Sequence, residues 1–198
     1  MKSKYFQLCM LLLFSSVTSY AQTTQCGIYK TVDDFKNQQI SIHGNCEFGK
    51  KAVQISDFFL RPYIYIKTEK GKIKTLQDSI YAVKDCAGNV YRIWHQKPYQ
   101  LIEKGVFNIY SYKYLGTIKK RTSRSVRFEH KEMTAYYFSV DDSSEIFLLT
   151  LTNVRLALLT DKDLDNNLLK TFPDNQSLWS ITNKQFNINS FLNNLKNK

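Results

Sequence analysis

The chain has little glycine and less proline, seven and three residues in 198. That scarcity excludes collagen-like and low-complexity linker architectures and leaves no glycine-rich loop to cradle a phosphate. Histidine is as rare: His43, His95 and His130 are the three, and they lie far apart in sequence. No H-E-x-x-H, C-x-x-C or G-x-S-x-G occurs, so the usual signatures of zinc proteases, dithiol redox centres and serine hydrolases are missing. Acids are short too, 17 against 28 Lys and Arg, a net charge of +11. What the chain has in plenty is Tyr and Phe, thirteen of each, a composition that supports a packed core and argues against a disordered chain.

One apolar run stands at the start. Lys2 and Lys4 precede it, it covers residues 5–17, and Ser19-Tyr20-Ala21 follows with small residues where an A-x-A-like cut requires them. This is the order of a secretory leader, and cleavage is expected after Ala21. The run is shorter than the roughly 20 residues that a membrane-spanning helix needs. A lipid anchor would need a cysteine directly after the cut, whereas Cys26 follows Gln25 and two threonines. No later segment is apolar enough to span a bilayer, so a soluble mature chain in the periplasm, on the cell surface or outside the cell is expected. The leader holds two lysines and no acid, so +9 of the +11 stays with the mature chain. Such a surplus attracts acidic partners at long range. For an exported protein those are anionic envelope surfaces or a protein, and no nucleic-acid partner is expected.

Three cysteines remain after cleavage: Cys26, Cys46 and Cys86. An odd count in an oxidising compartment implies one bridge and one free thiol, or an intermolecular bridge. Cys26–Cys46 is the expected pair, because it would clip the N-terminal segment to the body; the alternative is three small buried hydrophobes. His43-Gly44-Asn45-Cys46 has the spacing of two zinc ligands and would need Cys86 or His95 to complete a site. Two such residues meet by accident often enough that no metal, cofactor or catalytic residue is assigned. Cys46 as a nucleophile would need a lowered pKa and a partner in reach, and the sequence shows neither.

Thr31 can cap a short helix through Asp33, Asp34 and Phe35, with Asp34 where a capping-box acid belongs. From about 53 to 140 the pattern is an antiparallel β-meander. Ile64 and Ile66 alternate with Tyr63, Tyr65 and Lys67, and a turn at 69–71 leads into 72–76. Residues 80–84 and 90–95 form strands around a turn at 85–89, where Gly88 and Asn89 can take positive φ. Strands at 99–103, 106–114 and 133–140 follow, with Phe128 adding more. Near Thr150 helices begin. Thr152 or Asn153 caps one through Val154, Leu156 and Leu158, and Leu164, Leu168 and Leu169 form another that stops before Pro173. Ile188, Phe191, Leu192 and Leu195 make an i, i+3, i+4, i+7 stripe on the last. The expected class is therefore α+β: a meander with a short N-terminal helix and C-terminal helices packed on it. One domain covers 22–198, with a subdivision near 150 as the alternative.

Ile28-Tyr29-Lys30-Thr31 with Asp33-Asp34-Phe35 resembles the "GIY+T.eDF" opening of a family of small exported proteins of the Bacteroidetes. Residues 80–85 with Gly88-Asn89-Val90-Tyr91-Arg92-Ile93 are similar to its hairpin, "I.GY.d..G..YRi", although Ala82 and Val83 stand where Gly and Tyr are commoner. Tyr99, Ile109-Tyr110, Tyr137-Phe138-Ser139, Leu149-Thr150 and Ile188-Asn189 continue the likeness. The family has no assigned activity, so the resemblance implies export and carries over no site residues.

Three features could bind something. Lys119, Lys120, Arg121, Arg124 and Arg127 form an acid-free basic run between two β segments, read either as a mobile loop or as an anion-binding surface. Tyr110, Tyr112 and Tyr114 share one face of any strand, and are either a platform for sugar rings or half-buried core. Arg92, on a strand face with Val90 and Trp94, could contact an anion, cover an aromatic, or pair with Glu103. The leading functional expectation is a non-catalytic envelope protein that binds an anionic or protein partner. The alternatives are an envelope hydrolase whose site assembles only in three dimensions, and an inhibitor or immunity-type module bound to one protein.

Overall fold

The computed structural model describes residues 25–55, 62–122, 125–159, 162–180 and 185–196; the leader expected at 1–21 and Arg124 lie outside them. Strand β1 (Cys26–Tyr29) leads into helix α1 (Val32–Lys36), which opens on a complete capping box: Thr31 Oγ1 accepts from Asp34 N–H, and the Asp34 carboxylate accepts from Thr31 N–H. The chain returns as β2 (Ile42–Gly44), antiparallel to β1. A Cβ on Gly27 would lie 2.3 Å from both Ile40 Cγ2 and Ile42 O, so only glycine lets these strands approach so closely.

A 3₁₀ segment, Cys46–Lys51, connects to β3 (Val53–Ile55), β4 (Tyr63–Thr68) and β5 (Gly71–Leu76). These three form their own antiparallel sheet, in the order β3-β4-β5. The main sheet then runs through β6 (Ala82–Lys84), β7 (Val90–Trp94), β8 (Lys97–Lys104), β9 (Asn108–Arg121), β10 (Val126–Ser139) and β11 (Phe147–Leu148). Its order, β11-β10-β9-β8-β7-β6-β1-β2, is an antiparallel meander extended at one edge by the N-terminal hairpin. The single meander expected over 53–140 is thus divided between two sheets, because a 3₁₀ turn at Gln77–Ser79 redirects the chain.

Helices α2 (Leu151–Ala157), α3 (Lys162–Thr171) and α4 (Asn187–Lys196) close the chain. The cap of α2 is Thr150, two residues before the earlier of the expected positions. The stripe of α4 faces inward as its spacing requires, with Ile188 and Leu192 buried and Phe191 against Phe172.

Cross-strand register places both cores on one face of the main sheet. Val83 pairs with Tyr91, Tyr91 with Gln100, Gln100 with Ser111, and Ile109, two residues from Ser111, pairs with Phe138. At one end of that face Val83 and Ile93 pack with Ile64 and Ile66 of the small sheet. At the other, Ile109 and Phe138 pack with Val154, Leu168, Ile188 and Leu192 of the helices. Asn189 ties α4 to the β8–β9 turn. Its Oδ1 accepts from Phe107 N–H at 2.9 Å, and its Nδ2 donates to Phe107 O at 2.9 Å and to Glu103 Oε1 at 2.6 Å.

Candidate functional site

The cysteines correct one expectation directly. The bridge is Cys46–Cys86, and Cys26 is a buried free thiol. Strand register is the reason. Cys26 sits opposite Gly44, inside the β1–β2 pair, while Cys46 lies beyond the end of β2, where the β6–β7 turn delivers Cys86 with a Cα–Cα distance of 5.5 Å. That turn is held by Asp85, whose Oδ1 accepts from Ala87 N–H and Asn89 N–H; of the two residues expected at positive φ, Gly88 alone adopts it. All three sulfurs lie within 4.8 Å of one another, and burial raises the Cys26 thiol pKa. The histidines are elsewhere: His95 packs on Trp94, His130 meets Thr117 Oγ1, and His43 lies on β2 outside this sulfur cluster. The H-x-x-C pair therefore does not become a ligand set.

Beside the small sheet, the main sheet floors a cleft of about 690 Å³ with Tyr91, Gln100, Ser111 and Lys113, walled by Val53 and Ile55. Its acid among the described lining residues, Asp85, is engaged in the turn, so the cleft offers no pair of carboxylates for acid–base work.

The opposite face holds a polar core. Arg92 is 3% exposed and sits between two aromatic rings, its guanidinium carbon 5.2 Å from the centroids of Tyr81 and Trp94. It donates to Ser144 O at 2.6 Å and to Tyr110 Oη at 3.5 Å, and its Nε has no partner among the described residues. Glu103 is held by Asn189 instead, so the expected Arg92–Glu103 pair is not formed. The segment 140–146 straps this face. Tyr81 donates to Asp142 O, Ser139 Oγ donates to Asp141 O at 2.7 Å, and the Asp142 carboxylate receives Asn108 Nδ2 at 2.9 Å and Lys104 Nζ at 3.0 Å. Burial pushes the Tyr81 hydroxyl pKa well above the tyrosine range, and the Arg92 charge offsets part of that rise. Hydrogen bonds from the Ser143 hydroxyl and from the Ser143 and Ser144 amides lower the Asp141 carboxyl to about 2.

The tyrosine row splits on this face. Tyr110 is buried with its hydroxyl on Ser139, Tyr112 stacks on Tyr99 with centroids 5.3 Å apart, and Tyr114 is exposed. A sugar platform of three rings is therefore not present; the first ring is core.

The basic run is not a loop. Lys119, Lys120 and Arg121 end β9, Arg127 begins β10, and the two strands stay paired from Asn108↔Ser139 out to Arg121↔Val126. Beside them, β8 pairs with β9 only as far as Ser111, and β11 pairs with β10 only at Tyr137 and Phe138. The distal ten or so residue pairs form a two-stranded arm, about 30 Å long at 3.3 Å per residue. Alternation sorts its side chains. Leu115, Lys119, Arg121, Val126, Phe128, His130 and Glu132 share one face; Ile118, Lys120, Arg127, Glu129 and Lys131 share the other. Lys120 pairs with Glu129, and Lys113 with Glu132 at 2.9 Å. Lys119, Arg121, Arg127 and Lys131 meet no carboxylate among the described residues. Phe128 is 66% exposed and Leu115 59%.

Sequence reasoning singled out these cations and missed the apolar residues between them. The signal available was Val126 and Phe128 alternating with Arg127, a period of two that continues β10. Among the described residues no helix is long and apolar enough to cross a membrane. Compared with protein families, with curated proteins and with solved structures, the chain matches none.

Proposed function

We propose that this chain is an exported, non-catalytic binding protein whose β9–β10 arm docks on the anionic lipid surface of an envelope membrane. The observation that carries the reading is one face of the arm, where exposed Leu115, Val126 and Phe128 stand beside Lys119 and Arg121. A membrane interface suits that mixture: apolar side chains enter the acyl boundary while cations stay among the headgroups. Each cation near an anionic surface contributes about 1 kcal/mol, so Lys119 and Arg121 together supply about 2 kcal/mol, a twenty- to thirtyfold preference over neutral lipid. Burying part of Phe128 adds about 1 kcal/mol or more. The leader at 1–21 and the resemblance to small exported Bacteroidetes proteins support the compartment, and the basic balance of the mature chain supports the sign of the partner.

The test is co-sedimentation of the mature chain with phosphatidylglycerol vesicles and with phosphatidylcholine vesicles across a salt series. Binding to the anionic vesicles that falls with salt is expected, along with a tenfold or greater loss in Lys119→Gln/Arg121→Gln and a separate, salt-independent loss in Phe128→Ser. Equal binding to both lipids, or none to either, overturns the reading. Retention on isolated envelopes only when their proteins are intact would transfer the arm to a protein partner.

A further inference from the structure

Arg92 carries a second proposal, independent of the arm. On the strapped face it lines a pocket of about 490 Å³, together with Lys30, Asp78, Tyr81, Trp94 and His95. The residue is 3% exposed, yet no carboxylate pairs with it among the described residues. The neighbouring acids are engaged: Asp142 with Lys104 and Asn108, Asp141 with Ser143 and Ser144, and Asp78 with Gln96 Nε2 at 3.0 Å. A buried cation without a counter-ion is among the costliest arrangements a fold can hold. The rings of Tyr81 and Trp94 offset part of that cost, and two of the guanidinium nitrogens have acceptors. Nε–H remains buried, with no partner among the described residues.

The rim adds an independent mark. The two-residue turn between β7 and β8 places His95 at φ 48° and Gln96 at φ 57°, a conformation that hairpins usually give to Asn-Gly. Residues held in such conformations cluster at ligand sites. Here the turn sets His95 at the pocket mouth and anchors Gln96 on Asp78. The charged lining balances to one net positive, with Arg92 and Lys30 against Asp78.

We propose that this pocket binds a small organic monocarboxylate, its carboxylate serving as counter-ion to the Arg92 guanidinium and its apolar part lying against Trp94 and Tyr81. A single negative charge matches the lining, whereas a phosphate dianion would exceed it and face the Asp78 carboxylate.

The experiment uses the mature chain carrying Trp179→Phe, which leaves Trp94 as its one tryptophan. Fluorescence is titrated with acetate, benzoate, cyclohexanecarboxylate, benzamide and inorganic phosphate. In parallel, the arginine Nε–H resonances of the unsubstituted chain are followed by ¹⁵N NMR. At least one of the three carboxylates should saturate the signal and shift the Arg92 Nε–H resonance, at least tenfold more tightly than benzamide or phosphate. Arg92→Gln should lose that binding tenfold or more, and if the variant does not fold, the resonance shift in the unsubstituted chain decides alone. No saturable response to any of the three carboxylates overturns the proposal. So does an equal response to benzamide, tighter binding of phosphate, or binding that leaves the Arg92 resonance unmoved.

Discussion

Asn189→Ala should detach the C-terminal helices from the main sheet at one point, and the structure sets the size of the effect. The amide makes three hydrogen bonds across 82 or more residues of sequence, and two of them satisfy the N–H and the carbonyl of buried Phe107. Truncation leaves both backbone groups unpaired at about 1–3 kcal/mol each, so a loss of about 3 kcal/mol is expected. For a chain of this length that lowers Tm by about 6–12 °C. Asn189→Asp separates this account from simple loss of packing. It keeps an acceptor for Phe107 N–H but puts a carboxylate oxygen where Nδ2 now donates, 2.6 Å from Glu103 Oε1. Two carboxylates sharing a site raise the folded-state pKa above the unfolded value near 4. A carboxyl with a raised folded pKa binds its proton more tightly when folded, so its penalty is full at pH 7 and fades as pH falls through that raised value. Thermal unfolding from pH 7.5 to 4.5 should therefore show Asn189→Asp below Asn189→Ala at the alkaline end and converging on or passing it at the acid end. A loss under about 0.5 kcal/mol for Asn189→Ala, or parallel pH profiles for the two variants, would refute the reasoning.

Two further outcomes follow from the same contacts. Peptide mapping without reduction should recover Cys46 joined to Cys86, and Cys46→Ser should cost more stability than Cys26→Ser. The bridge closes a loop of 40 residues, about 4 kcal/mol in the chain-entropy account, and recovery of Cys26 joined to Cys46 would contradict the register argument. Ser143→Ala should raise the titration midpoint of Asp141 from about 2, because the Ser143 hydroxyl is the largest cause of its depression. A carboxyl depressed on folding contributes above its unfolded pKa near 4 and stops contributing as pH falls through about 2. The stability gap between Ser143→Ala and the unsubstituted chain should accordingly be constant from pH 7 to 5 and close below 4. A gap unchanged at pH 2.5 counts against it.

Local chemistry was legible in the sequence wherever one element decides its own form. The alternation of Ile64 and Ile66, the Thr31–Asp34 box and the α4 stripe all report periodicity or capping within a few residues, and each lies in the structure as written. What was hidden depends on partners distant in the chain. Pairing of β1 with β6 and β2, across 53 or more residues on one side, left little trace in Cys26–Tyr29 beyond the buried side chains of Cys26, Ile28 and Tyr29. The same pairing sets Cys26 opposite Gly44 and leaves Cys46 to bridge Cys86. For Arg92 the contact with an aromatic was legible from Trp94 on the same strand face, but its burial was not, because its neighbours Tyr91 and Ile93 say nothing of the 140–146 strap that covers it. The arm read as a loop because cations outweigh apolar residues there, although the backbone pairing that makes it a ribbon needs no apolar face.

The two strands of the arm are rooted where Ile109 and Phe138 are sealed beneath the helices. A strand cannot slide by one position without turning every side chain to the other face. The buried root therefore acts as a key: it dictates which side of the tip carries Phe128 and which carries Glu129, some 30 Å away. The tip itself is free to change its residues without losing its aim. A new binding preference could be written there one side chain at a time, while the part of the molecule that decides where the preference points stays untouched in the core.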